Sequence, residues 1–114
     1  MMTIRHCFAL DLKDKPELIE AYKKHHRSGN VWPEIINSIK SSGIEALDIY
    51  LVGNRLFMIM DVNNSFSFAE KEKADLSNPK VVAWEELMWT FQQKLPWAKG
   101  DEKWMLMEQI FTLK

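Results

Sequence analysis

The chain has 114 residues, 46% of them hydrophobic, and a formal net charge of -1; that is one domain with enough apolar content for a core, and it excludes an intrinsically disordered chain. The near-neutral balance offers no basic face to a phosphate backbone or an anionic lipid surface, so neither nucleic acid nor a membrane is an expected partner. A single cysteine, Cys7, excludes a disulfide framework and a thiolate metal site, and with no signal-peptide pattern and no membrane-length apolar run the expected location is the cytoplasm.

Residues Ile4 to Leu12 read as a strand, with Ile4, His6, Phe8, Leu10 and Leu12 on one face. Asp14 is expected to cap a helix that has Pro16 in its first turn and runs from Glu17 to about Arg27. Leu18, Ile19, Tyr22 and His26 form its apolar stripe. Ser28-Gly29-Asn30 breaks it. Trp32-Pro33 opens a second helical stretch striped by Ile35, Ile36 and Ile39, and Gly43 closes it.

The next strand is Ile44 to Val52. Gly53-Asn54 is a tight-turn pair, and Arg55 to Val62 returns as a third strand. A charged segment, Phe66 to Leu76, reads as a solvated helix. Asn78-Pro79 then opens a last long helix to about Leu95, with Val81, Trp84, Met88, Phe91 and Leu95 facing inward and Pro96 ending it. The loop Trp97 to Lys103 leads to a final strand, Trp104 to Leu113. The order strand, helix, strand, strand, helix, strand is the α+β, ferredoxin-like βαββαβ pattern, with residues 1–114 as a single domain.

Two helical layers cover only one face of such a sheet, and the other face should alternate to polar residues if it met water. Leu56-Phe57-Met58-Ile59-Met60 and Cys7-Phe8-Ala9-Leu10 are instead apolar on both faces. A monomer would expose a large patch, so a two-fold homodimer packed sheet against sheet is expected. The other way to cover that face is with loops or the charged helix.

Site signatures are sparse. There is no Gly-rich phosphate loop, no His-x-x-x-His and no Cys-x-x-Cys, so no metal and no cofactor is expected. The histidines carry more information. His25 and His26 are adjacent and should diverge by about 100° on a helix of ~3.6 residues per turn. His26 continues the stripe of Leu18 and Tyr22 and is the inward one. An imidazole beside a tyrosine suits proton transfer near neutrality; it is equally compatible with a histidine bonded to a backbone carbonyl. His6 reads as structural. Five tryptophans in so short a chain are also unusual. Flat rings beside a pocket fit the C–H face of a sugar, although any one of them alone reads as packing. The carboxylates expected within strands, Asp11, Asp48 and Glu108, either accept from sugar hydroxyls or take up protons, or they pair with Arg5 or Arg55.

Taken together, these residues resemble the rhamnose mutarotase family. The match begins at Ile4-Arg5-His6-Cys7-Phe8-Ala9-Leu10 and passes through Glu20-Ala21-Tyr22-Lys23-Lys24-His25-His26 and Val31-Trp32-Pro33-Glu34. It continues at Ser42-Gly43 and Asp48-Ile49-Tyr50-Leu51 and ends at Gln109-Ile110-Phe111-Thr112-Leu113. The Tyr-x-x-x-His followed by Trp-Pro-Glu is its most specific part. The resemblance implies a dimeric α/β barrel that interconverts the anomers of a free 6-deoxyhexose. It implies that His26 is the proton donor and that Tyr22 and Trp84 bind the sugar, with Trp32, Tyr50 and Trp89 completing the expected substrate-binding set. The proton acceptor is left among a bound water, Asp48 and Glu34.

Ala83 and Leu47 stand where the family has a tryptophan and a tyrosine, and two residues are inserted around Ser28-Gly29-Asn30. The run Trp84-Glu85-Glu86-Leu87-Met88-Trp89 with Leu95-Pro96-Trp97 and Lys103-Trp104 looks like the L-fucose branch. L-fucose is therefore the expected substrate and L-rhamnose the alternative. A different class, a binding or monooxygenase-like dimeric α/β-barrel module, shares the topology. It would leave sugar exchange untouched.

Overall fold

A computed structural model describes residues 3–114. Strand β1 (Ile4–Leu12) is followed by helices α1 (Pro16–His25) and α2 (Pro33–Ser41), the hairpin β2 (Ile44–Val52) and β3 (Arg55–Val62), helices α3 (Phe68–Leu76) and α4 (Pro79–Trp89), and the short strands β4 (Gln92–Gln93) and β5 (Met105–Leu106). The sheet is antiparallel in the order β2-β3-β1-β4, and β5 also pairs with β1. This is the expected split arrangement, with the helices on one face.

Period-two alternation sets the register. Phe8 lies opposite Met58, Leu10 opposite Leu56 and Ile4 opposite Val62, so Phe8, Leu10, Leu12, Leu56, Met60 and Val62 all point under the helices and are buried. They meet Tyr22 of α1, Ile35 of α2 and Val81, Trp84 and Met88 of α4. Gly43 permits the entry into β2. Its φ is +95°, and a Cβ there would lie 2.6 Å from Asn63 Oδ1. Aromatic edges tether α3: Phe68 packs 4.9 Å from His6 and 4.9 Å from Phe66, centroid to centroid. His6 is thus a packing residue.

Three boundaries differ from the sequence expectation. Asp14 does not cap α1; Lys15 holds that position with extended backbone and no side-chain bond, and Pro16 sets the first turn. Helix α4 stops at Trp89, six residues before Leu95. Thr90 Oγ1 donates to the Leu87 carbonyl at 2.6 Å, and the Phe91 carbonyl accepts from Lys13 N–H, turning the chain onto β1 as β4. The final strand is the largest correction. Only Met105 and Leu106 of Trp104–Leu113 join the sheet, opposite Ala9 and Phe8. The Met107 N–H still donates to the Cys7 carbonyl at 2.7 Å on the same edge of β1, and the residues beyond it leave the sheet. Ile110, Phe111 and Leu113 are 89%, 76% and 85% exposed.

Asp11 resolves as structural. It is buried and paired through both oxygens with Arg55, at 2.7 and 3.1 Å, while Arg55 lies over the Trp97 ring. Among the described residues no helix is long and apolar enough to cross a membrane.

Candidate active site

Between the inner face of the sheet and the helices lies a cleft of about 700 Å³, within the range of small-molecule sites, about 300–1,000 Å³. Tyr22 and His26 at the end of α1 and Trp84 of α4 line it, together with Phe8, Met58 and Met60 from the sheet. Its rim carries Asp48, Lys71, Asp75 and Glu85, and Lys71 bridges Asp75 at 2.7 Å and Ser38 at 3.2 Å. An apolar interior with a few convergent polar groups suits a ligand with one hydrophobic face and several hydroxyls.

His26 sits just past the last residue of α1, with φ -101° and ψ 0°. The helical 100° rule therefore ends before it. His25 and His26 do not diverge as expected: both rings stand near Trp84, at 6.4 and 5.7 Å. Only His26 lines the cleft. His26 Nδ1 lies 2.8 Å from the Tyr22 carbonyl oxygen. A carbonyl only accepts, so Nδ1 carries the proton and, in the neutral ring, Nε2 keeps its lone pair. Burial pushes the imidazole below its ordinary value of 6.5; the Tyr22 carbonyl draws it up and His25 presses it down again. The ring rests 4.3 Å from the Tyr22 ring, centroid to centroid.

Tyr22 is buried, and desolvation pushes its hydroxyl up to about 12. It stays protonated through the neutral range. Trp84 is held by Trp32, edge to face at 5.1 Å and 71°.

The structure therefore gathers His26, Tyr22 and Trp84 in one cleft and leaves the other expected contacts outside it. Trp32 is behind Trp84 as a support. Tyr50 is 59% exposed and, with Tyr22 and His26, lines a second, smaller hollow of about 170 Å³. Trp89 lies under Lys103 Nζ, 4.9 Å from the ring centroid, because it falls off the inward stripe of α4. Asp48 lines the cleft and Glu34 does not.

Two lining residues escaped the sequence reading. Glu85 entered that reading only within the run Trp84 to Trp89, with no place at a cleft. It is half exposed at the rim, where desolvation pushes its carboxyl up and Lys103, 4.0 Å away, draws it back. Gln92 looked like the interior of a helix. It is buried and donates from Nε2 to Tyr22 Oη at 3.3 Å. Among the described residues no three His, Cys, Asp or Glu side chains gather as a metal-ligand set.

Residues 5–113 match the model of the L-rhamnose mutarotase family. The chain is 42% identical over 109 residues to an L-fucose mutarotase of Xanthomonas campestris pv. campestris, covering 96% of this chain and 87% of that one. It is 38% identical over 109 residues to a UPF0734 protein of Dictyostelium discoideum, covering 92% and 86%. Its fold is similar to that of an L-rhamnose mutarotase from Formosa agariphila (TM-score 0.70, 22% identity, covering 97% and 99%). It is also similar to that of tetracenomycin F2 cyclase, a polyketide cyclase of Streptomyces glaucescens (TM-score 0.63, 10% identity, 97% of each chain). Since a polyketide cyclase shares the architecture, the fold alone does not decide the chemistry.

Proposed function

The chain belongs to the L-rhamnose mutarotase family and is a sugar mutarotase, an isomerase; from that premise we propose that it interconverts the anomers of free L-fucose in the cytoplasm, as a homodimer of a single 114-residue domain. The observation that carries the chemistry is the His26 imidazole lining the cleft with Nδ1 2.8 Å from the Tyr22 carbonyl, which leaves Nε2 as the free ring nitrogen.

Ring opening takes one proton from the anomeric hydroxyl and delivers one to the ring oxygen. His26 Nε2 takes the first as the C1–O5 bond breaks and the carbonyl forms. Water in the cleft supplies the second, and the Tyr22 hydroxyl donates a hydrogen bond to the oxygen on which charge develops. Rotation about C1–C2 turns the aldehyde over, and closure reverses both transfers on the new face. His26, the expected donor, thus accepts on opening and donates on closing. Trp84 supports the C–H face of the pyranose. Asp48 and Glu85 at the rim are hydroxyl partners, which leaves the Lys71–Asp75–Ser38 network as scaffolding between α2 and α3. None of these steps calls on a metal or a cofactor.

L-fucose is placed ahead of L-rhamnose because of the 42% identity to an L-fucose mutarotase and because Ala83 and Leu47 replace two bulky side chains of the L-rhamnose pattern. The homodimer is supported by the half-buried apolar side chains of Cys7, Phe57 and Ile59 on the outer face of the sheet and by the exposed tail at Ile110, Phe111 and Leu113. Exchange NMR on a panel of free sugars tests the substrate reading. Acceleration greatest for L-fucose is expected; acceleration greatest for L-rhamnose would reassign the substrate, and no acceleration for any sugar would end the reading.

A further inference from the structure

We infer that Gln92 is a specificity-determining residue of this site, one that aims the Tyr22 hydroxyl at the sugar and offers its own side-chain oxygen to one sugar hydroxyl. The inference rests on the seating of a monosaccharide in the cleft.

Gln92 belongs to β4, where the chain leaves α4 and meets β1 at Leu12. That brings its side chain to the inner wall of the cleft beside Tyr22, His26 and Trp84. It is 3% exposed. Its Nε2 donates to Tyr22 Oη at 3.3 Å. A tyrosine hydroxyl that accepts at its oxygen is left with its own proton to donate, and this one keeps that proton across the neutral range. Gln92 therefore fixes the direction of the Tyr22 hydrogen bond toward the cleft.

The other end of the amide is the second observation. Gln92 Oε1 is the one buried side-chain nitrogen or oxygen among the described residues that has no hydrogen-bond partner. Buried polar atoms are nearly always paired, and an orphan calls for an explanation. An unpaired acceptor on the wall of a cleft built for a polyol is explained by a ligand hydroxyl that completes it as the side chain adjusts around the bound sugar. Rotating the amide by half a turn exchanges the two atoms but leaves one of them unpaired in either orientation. A site that hydrogen-bonds a substrate hydroxyl in this way rejects an analogue lacking it.

The test compares L-fucose with its 2-, 3- and 4-deoxy analogues by exchange NMR, each rate corrected for uncatalysed exchange. The proteins are the unmodified chain and Gln92→Met, which keeps the volume but removes the amide. On the unmodified chain one analogue is expected to lose at least tenfold in kcat/KM relative to the others. On Gln92→Met that selective loss disappears, L-fucose itself falls to the level of that analogue through KM, and a further Tyr22→Phe change costs less than it does alone. Should the variant fail to fold, the analogue series on the unmodified chain still decides, because three analogues of equal rate overturn the inference. A selective loss that persists in Gln92→Met overturns it as well, while leaving the mutarotase reading intact. Absence of acceleration of L-fucose by the unmodified chain overturns both.

Discussion

His26 Nδ1 and the Tyr22 carbonyl oxygen, 2.8 Å apart, set the tautomer on which the site depends. The bond is local, spanning four residues at the C-terminal end of α1. It gives His26 one fixed proton and one free lone pair. Since burial disfavours the imidazolium, the resting ring is a neutral base facing the cleft.

The pH profile follows from that shift. Acid protonates Nε2 and removes the acceptor, so the rate falls as pH drops. Burial lowers the value, so the midpoint of the acid limb is expected below the 6.5 of a free imidazole. Stability has the same sign. Between the lowered value and 6.5 the unfolded chain binds more protons at this residue than the folded one. Folding stability therefore rises with pH across that window and is lost as pH falls through it. Exchange rates and thermal unfolding measured between pH 5 and about 8 check both; an acid limb centred above 6.5 would contradict the assignment.

Trp84 is buried core and, in the proposed role, a platform for the sugar; two substitutions separate the two. Trp84→Ala is expected to destabilise the fold by about 3–5 kcal/mol, read by denaturant unfolding. Trp84→Phe keeps an aromatic face of smaller area. It is expected to raise KM for L-fucose severalfold with a smaller effect on kcat, as befits binding shared by ground and transition states. An unchanged KM would make Trp84 purely structural.

The exposed tail makes a prediction about assembly. Aspartate at both Ile110 and Phe111 places charges where apolar side chains now stand in the open. If a second copy covers them, the double variant dissociates toward monomer in sedimentation velocity while the unmodified chain sediments as a dimer. A monomeric unmodified chain would contradict the proposed assembly.

Much of the fold was legible because it rests on local rules. The alternation in Ile4–Leu12, Ile44–Val52 and Arg55–Val62 marks three strands to the residue, and Asn78 caps α4 through its side chain as a capping residue should. The misreadings come from places where tertiary contact overrules pattern. Trp104–Leu113 has the composition of a strand, but only Met105 and Leu106 pair with β1 and the residues after Met107 leave the sheet. The inward stripe of α4 continues on paper through Phe91 and Leu95. Both are buried as that stripe requires, yet they reach the core from beyond the helix.

The site was legible where its residues share one segment. Tyr22 lies in the last turn of α1 and His26 just past its end, so the two are close in sequence and their pairing was within reach of a local reading. Trp84 was reachable from its stripe. Gln92 was not, since its partner Tyr22 is 70 positions away in the chain and nothing in Gln92-Gln93 signals a cleft. Tyr50 and Trp89 illustrate the converse. They sit in the right elements but outside the main cleft, Tyr50 in the smaller hollow beside Tyr22 and His26 and Trp89 under Lys103, a matter of side-chain direction that composition does not reveal.

The most direct test replaces His26 with alanine and measures anomer exchange of L-fucose by saturation-transfer NMR, with folding monitored by circular dichroism. The variant is expected to stay folded and to lose about 10²- to 10⁴-fold of the acceleration. A folded variant that exchanges the anomers as fast as the unmodified protein would contradict the role assigned to His26.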